Sequence, residues 1–414
     1  MAEYYDALET RSPEQREREL MAALPGQIAH AQRHASGLAR LLADVPARDI
    51  VTRAALAQLP VLHKCDLHGL QHATPPFGGL SATASGDLAR IFMSPGPIYD
   101  PEARREDYWR AARALFAAGF RRGAIIQNCF SYHFTPAAAM VEGGAAKLGC
   151  AVIPAGTGQT ELQVQAMAAL QPDGYAGTPS FLKIIIEKAL ESGADIRSLK
   201  KASVAAEAMP PSLRKWLQGH GVQTVLQWYG TADVGSIAYE SEAMEGLILD
   251  EQTILEIVHP GTGQVVREGE IGEVVVTVLN ADYPLIRFAT GDLSAVLPGA
   301  SPCGRTNTRI KGWMGRADQS TKVKGMFVHP GQVAQLRDRH WQIVKARLVV
   351  DYDAGGADRM ILKCEVEHGD DTLRRVIALS LREVCKLNGA VDFCALGELP
   401  KDGKVIEDAR QYEK

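Results

Sequence analysis

Residues 124–178 read AIIQNCFSYHFTPAAAMVEGGAAKLGCAVIPAGTGQTELQVQAMAALQPDGYAGT. Short apolar runs (AIIQNCF, CAVIPA, GYAGT) alternate with longer stretches, Ala137–Leu148 and Glu161–Leu170, whose apolar residues recur at helical spacing. A short apolar run bounded by Gly and Pro suits a buried strand, and a 3.6-residue period suits a helix. Two strands joined through a helix pair in parallel, because the crossover returns the chain to the same end of the sheet. The pattern extends both ways. Upstream it predicts a helix from Arg104 to Ala118 that stops at Gly119. Downstream come a helix (PSFLKIIIEKAL), a strand (KASVAAE), a helix (PSLRKWLQGH) and a strand (TVLQWYG). In such an α/β core, ligands sit beyond the carboxyl ends of the strands.

Residues 1–75 are helix-rich, with apolar positions at helical spacing through SPEQRERELMAALPGQIAHAQRHASGLARLL. From about residue 247 the texture changes to strands separated by turn residues: LILDEQTILEIVHP, EIGEVVVTVL and LIRFATGDLSAVL. Past GRADQSTKVKGMFVHPGQV the chain alternates strands (KARLVVDY, RMILKCEVE) with a helix (DDTLRRVIALSLREVCKL). The expected architecture is α/β: a large N-terminal domain over 1–317 with mainly parallel sheets, and a small α+β C-terminal domain over 318–414. The large domain divides into a helical start (1–75), an α/β core (76–246) and a small β subdomain (247–317). No internal repeat or low-complexity segment interrupts this.

The bulk numbers exclude several functions. The chain has 414 residues, 46% hydrophobic and 23% charged, with 49 acidic against 45 basic residues and a net charge of -4. This near balance, without a long basic run, argues against nucleic acid or an anionic membrane as partner. No stretch of about 18 apolar residues suggests a membrane span. The opening MAEYYDALETRSPEQRERELMAAL is charged and has no apolar signal core, so a cytoplasmic location is expected. The cysteines number seven, Cys65, Cys129, Cys150, Cys303, Cys364, Cys385 and Cys394. They are widely spaced with no CxxC pair, which reads as buried free thiols in a reducing compartment.

One stretch fits the α/β scheme poorly. RIFMSPGPIYDPE (90–102) has the outline of a phosphate loop: a strand-like entry, small residues with a glycine, then an amphipathic helix. Yet it holds no GKS or GKT. Pro95 and Pro97 cannot donate from nitrogen, which leaves Ser94 and Gly96 as its donors toward a phosphate.

Five segments in register carry a resemblance over roughly residues 60–414. They are VIPAGTGQTELQVQ (152–165), YGTADVG (229–235), YPLIRFATGDL (283–293), CGRTNTRIKGWMGRADQSTKVKGMFVHPGQV (303–333) and ELPKDGKVIEDAR (398–410). In that order they resemble the motifs of phenylacetate–CoA ligases, members of the adenylate-forming acyl-CoA synthetase superfamily. The resemblance implies an ATP-dependent ligase that joins a carboxylate to AMP with loss of pyrophosphate and then passes the acyl group to coenzyme A. It implies ATP, coenzyme A and magnesium as cofactors, an aromatic or small apolar acid such as phenylacetate as substrate, and a homodimer, which the family often forms.

Residue by residue, the resemblance makes Lys404 the catalytic lysine and Asp292 the acceptor of the ribose hydroxyls. An ionised carboxylate can accept both hydroxyl protons. Arg316 is a second nucleotide contact. Tyr229 is the residue stacked on adenine, with Gly230, Thr231 and Glu207 beside the nucleotide. Asp318 is the hinge of a mobile C-terminal domain. Asp233 stands where the family has a magnesium-binding glutamate, one methylene longer, and Ala232 stands where it has a hydroxyl. Tyr132, His133 and Phe134 line an acyl pocket, with Ala205, Ser236 and Ile237 opposite. Lys324, Gly325 and Pro330 border the coenzyme A entry.

Two departures stand out. Many relatives hold a structural zinc by Cys, His and a CxC pair. Here the pair reads SPC, leaving Cys303, and the upstream YESEAMEGL has neither Cys nor His, so no zinc is expected. The second is the 90–102 stretch, which stands where the superfamily keeps its phosphate loop. The changed loop, Ala232 and Asp233 keep open a nucleotide- or acyl-CoA-binding relative without ligase activity, and the shared first half-reaction keeps open an adenylating enzyme with an acceptor other than coenzyme A.

Overall fold

The computed structural model describes residues 3–260, 262–314, 316–317, 321–324, 326–328, 330–353, 356–400 and 404–410. The chain divides into two compact units, Met1–Gly315 and Arg316–Lys414.

In the first unit, the largest sheet among the described residues has nine strands. Five run parallel in the order Ala151–Ile153, Ile125–Asn128, Gly174–Gly177, Lys201–Val204 and Thr224–Thr231. Thr224–Thr231 then turns directly into the antiparallel Gly235–Glu240, and the sheet continues through Leu247–Leu249, Arg309–Ile310 and Val296–Leu297. The helices Ala137–Leu148, Thr160–Leu170, Pro179–Ser192 and Pro211–Gly219 are the crossovers between parallel strands. Gly149 and Gly193, both at left-handed φ (74° and 69°), end the first and third of them.

A second sheet pairs Leu62–His63, from the helical start, in parallel with Phe288–Ser294. Gly272–Val278 and Thr253–Val258 continue it antiparallel. The β-rich stretch is thus shared between two sheets, and one of them has as its edge strand a residue pair from some 200 residues upstream. One apolar core joins the N-terminal helix Pro13–His34 (Leu24, Ile28, Ala31), the Tyr108–Leu115 region and both sheets.

Two local differences from the sequence reading have physical causes. The helix expected over 104–118 forms only at Ala112–Ala117. Asp107 and Arg110 sit at left-handed φ (44° and 60°), which breaks a helix, and the Asp107 carboxylate accepts from the Ala111 and Ala112 amides at 2.8 and 3.1 Å to cap the short one. The 90–102 stretch is no loop into a helix. Arg90–Ser94 pairs antiparallel with Ile98–Glu102, Ser94 opposite Ile98, and Pro95–Gly96–Pro97 form the turn. Proline fixes φ on both sides of a glycine that takes φ 149°, which suits a tight hairpin turn and not a helix start.

The second unit has a four-stranded sheet, Ala390–Cys394, Asp358–Glu365, Lys345–Tyr352 and Ile406–Asp408, with helices Pro330–Arg339 and Asp371–Cys385 sharing its core. A small hairpin, Thr321–Val323 with Met326–Val328, precedes it. No described helix is long and apolar enough to cross a membrane.

Candidate active site

Four of the parallel strands are neighbours: Ile125–Asn128, Gly174–Gly177, Lys201–Val204 and Thr224–Thr231. Their carboxyl ends lead into Cys129–Thr135, Thr178, Ala205–Glu207 and the 232–234 turn. This is the edge where an α/β sheet binds ligands, and it carries Tyr132, His133, Phe134, Ala205, Glu207, Tyr229, Gly230, Thr231 and Asp233.

Asp292 reaches this edge from the other sheet. The Tyr229 hydroxyl donates to its Oδ2 at 2.9 Å and the Trp313 indole N–H to its Oδ1 at 3.0 Å. Tyr229 also bonds Thr290 Oγ1 at 3.2 Å. Asp292 is 7% exposed, so these bonds compensate a largely buried carboxylate. Each carboxylate oxygen can accept more than once, so a pair of ribose hydroxyls can still bond it. Trp313 lies inside a quoted motif, but only its N–H geometry reveals its part.

Gly230 and Gly235 are required by close backbone approach. A Cβ on Gly230 would meet the Gly235 carbonyl at 2.4 Å, and one on Gly235 would meet the Trp109 carbonyl at 2.8 Å. The Thr231 hydroxyl accepts from the Val234 amide at 3.2 Å and so braces the turn that presents Asp233. Glu207 Oε2 accepts from the Ser180 hydroxyl at 2.5 Å, tying its loop to the start of the Pro179–Ser192 helix. The preceding Ala206 is held at φ 70°, an uncommon conformation for a residue with a Cβ.

The hairpin is anchored on both strands. The Gln71 side chain both donates to and accepts from the Tyr99 backbone at 2.8 Å, and the Met93 amide donates to the Phe134 carbonyl at 3.0 Å. Of its two remaining donor groups, Ser94 is 5% exposed and its hydroxyl donates across the turn to the Ile98 carbonyl at 3.3 Å. The Gly96 amide lies at the turn.

Beneath the hairpin lies an ionic cluster that sequence reasoning did not find. The Lys64 ammonium donates to Asp233 Oδ2 at 2.5 Å, and the Asp233 side chain is fully enclosed while that of Lys64 is 21% exposed. Asp100, on the second hairpin strand, is wholly buried with Asp233 and Lys64 as its charged neighbours. Burial first, and the Asp233 charge second, push its carboxyl well above the usual carboxylate range. Neither Asp100 oxygen finds a hydrogen bond of ordinary geometry, and neither does Asp233 Oδ1. Lys64 lies in VLHKCDL, some 170 residues before Asp233, and a lone lysine there carries no signal of its partner.

These residues do not fit a magnesium ion held by Asp233. Magnesium takes a near-octahedral set of oxygen ligands. Here an ammonium already sits on one carboxylate oxygen, and a dication on the same group would lie against that positive charge. Among the described residues no group of three or more His, Cys, Asp or Glu is placed to hold a metal ion. Around Cys303, the Arg305 guanidinium, buried at 2% exposure, bonds Glu9 at 3.1 Å and Glu242 at 3.3 Å, and Tyr4 bonds the Cys303 carbonyl at 3.1 Å. Ion pairs and hydrogen bonds therefore tie the 301–306 segment to the N-terminus and to the 240–243 turn.

The acyl-pocket residues divide. Ala205 and Ser236 are buried at 7% and 1% exposure, whereas Tyr132, His133 and Phe134 are exposed. Asn128 bonds the Tyr132 hydroxyl at 3.0 Å, and His133 packs edge-on to Phe134. In the second unit, Lys404 is exposed just before the Ile406–Asp408 strand, and Arg316 is half-buried. Lys324 takes φ 48° in the turn of the small hairpin, its amide bonded to Asp358. Pro330 begins the Pro330–Arg339 helix. Asp318 and Gly325 lie outside the described residues.

The AMP-binding enzyme family matches residues 108–278, the stretch that contains the parallel edge and the Tyr229–Asp233 turn. The phenylacetate–coenzyme A ligase of Thermus thermophilus is 31% identical over 326 residues, 75% of this chain and 72% of that one. The phenylacetate–coenzyme A ligase of Aromatoleum evansii is 29% identical over 333 residues, covering 77% and 74%. A crystal structure of 2-hydroxyisobutyryl-CoA ligase with 2-HIB-AMP and CoA aligns with a TM-score of 0.84 over 98% of this chain and 92% of that one. At 21% identity it is a likeness of fold. The family match and these relatives make the chain an adenylate-forming enzyme, an acid–thiol ligase. Within that class, the chain belongs to the phenylacetate–coenzyme A ligase family. The two alternatives, binding without ligation and a different acceptor, are not favoured by these relatives.

Proposed function

We propose that the chain activates an aromatic carboxylic acid, phenylacetate foremost, as its adenylate and transfers the acyl group to coenzyme A. The observation that carries this reading is the Asp292 carboxylate, buried and aimed by Tyr229 and Trp313 at the edge of the parallel sheet. Such preorganisation fixes a ribose without reorganisation during reaction. Tyr229 and the Glu207 loop flank the adenine, Arg316 adds a nucleotide contact, and Ala205, Ser236 and the Tyr132–Phe134 segment accept the acid. Lys404 neutralises charge on the carboxylate and α-phosphate during adenylation. The C-terminal unit then turns about Asp318, so that the Lys324–Pro330 region borders the thiol entry. Any magnesium enters on the phosphates of ATP and not as a resident ion. Incubation with ATP, coenzyme A and a panel of acids, read by mass spectrometry, tests the reading. Phenylacetyl-CoA with AMP is expected, and acyl amides or no product across the panel would refute it.

A further inference from the structure

The Lys64–Asp233 pair has a consequence for how the nucleotide's phosphate is met. The Asp233 side chain is sealed, whereas the side chain of Lys64, whose ammonium bonds it, is 21% exposed. A ligand approaching this point therefore meets Lys64 and not the carboxylate. The position of Lys64 is fixed from three sides. Immediately before it, Leu62–His63 pairs in parallel with Phe288–Ser294, the strand that carries Asp292. After the 3-10 turn Lys64–Asp66, the Leu67–Ala73 helix holds the hairpin through Gln71 and Tyr99. Its side chain reaches the turn that follows Tyr229. One cation thus stands where the ribose acceptor strand, the donor-poor hairpin and the Asp233 turn converge.

We propose that Lys64 is a phosphate-facing cation of the nucleotide site: it supplies, from the chain itself, the positive charge at Asp233 that a metal ion would otherwise bring. The ligand class is a nucleoside 5′-phosphate or its acyl ester. Asp233 orients the ammonium and is a positioning residue. The hairpin has no lysine and its Ser94 hydroxyl is engaged with the Ile98 carbonyl, and this cation compensates for both. The proposal rests on the ligase reading and adds to it a named cation of the chain at the nucleotide's phosphate.

Removing Lys64 alone strands a buried carboxylate and can unfold the chain, so the informative variant is the double Lys64→Met/Asp233→Asn, which removes both charges. Calorimetry of the full chain compares AMP with adenosine, each in EDTA and in excess magnesium. The wild type is expected to bind AMP equally in both buffers. The double variant, folded by circular dichroism, is expected to lose about tenfold in AMP affinity, the scale of one charge-assisted hydrogen bond, and to keep its adenosine affinity. Equal loss of both ligands, unchanged AMP affinity, or wild-type AMP binding that needs magnesium and is lost in Asp233→Asn overturns the proposal. That last result leaves the ligase reading standing. A wild type that binds neither AMP nor ATP in any buffer overturns both.

Discussion

At the scale of single residues, the site is a set of charges whose partners come from distant sequence. Asp292 is legible because its TGDL motif is local. Its two aromatic donors are not equally so: Tyr229 opens a motif, but Trp313 shows its role only when its N–H is seen 3.0 Å from Asp292 Oδ1. Trp313→Phe removes that donor and keeps the ring bulk. The Michaelis constant for ATP should rise by about tenfold with little change in kcat, because a bond to a charged group is lost in ground and transition state alike. An unchanged constant would remove Trp313 from the site. Lys64 was illegible for a plain reason: electrostatic pairing has no sequence period, and nothing in VLHKCDL points to the Asp233 turn. Phosphate-loop readings rest on hydroxyls and lysines near the glycine, so a cation supplied from another segment escapes them.

At the scale of elements, the periodic part of the chain was readable and the aperiodic part was not. The Ala137–Leu148 helix falls where apolar spacing puts it, as do the parallel strands, because burial on both faces imposes continuous apolar runs. The 104–118 helix failed because two left-handed residues and the Asp107 cap are tertiary choices: Tyr108 and Trp109 are buried in the core instead. Burial raises the Asp107 carboxyl from 3.8 to about 6, against the lowering effect of the Ala112 and Ala111 amides. A raised folded-state value means the fold prefers the protonated form. The stabilisation is complete below 3.8 and is lost as pH rises through about 6. Relative to Asp107→Asn, the wild type should therefore lose at most about 3 kcal/mol across that interval. Denaturant titrations of both proteins at several pH values check this, and parallel curves would count against it. A second element-scale expectation concerns Gly144, where a Cβ would lie 2.8 Å from the Ala111 carbonyl carbon and the Ala112 nitrogen. Gly144→Ala should push the Ala137–Leu148 helix off its neighbour and destabilise the unit by about 1–3 kcal/mol, seen as a lower melting temperature.

At the scale of the whole molecule, two compact units, Met1–Gly315 and Arg316–Lys414, carry different halves of the proposed chemistry. The first holds the nucleotide edge, and the second holds Lys404, exposed before a strand of its sheet. The proposed division of labour makes a kinetic prediction. Lys404→Ala should slow adenylation by about a hundredfold or more, the scale of losing one preorganised charge, while thiolysis of supplied acyl-adenylate changes far less. Equal losses in both half-reactions, followed by rapid quench, would contradict the role. The parallel sheet of the α/β core was legible at this scale, since strand–helix alternation dictates it, whereas the order of its strands was not. The addition of Leu62–His63 to the edge of the β-rich sheet was not legible either, since a two-residue strand leaves no pattern. The most direct test of the central claim is acid-dependent exchange of radiolabelled pyrophosphate into ATP by the intact chain. The account predicts exchange that requires an aromatic acid, is strongest with phenylacetate and proceeds without coenzyme A. Absence of exchange with every acid, in a protein that still binds AMP, would contradict it.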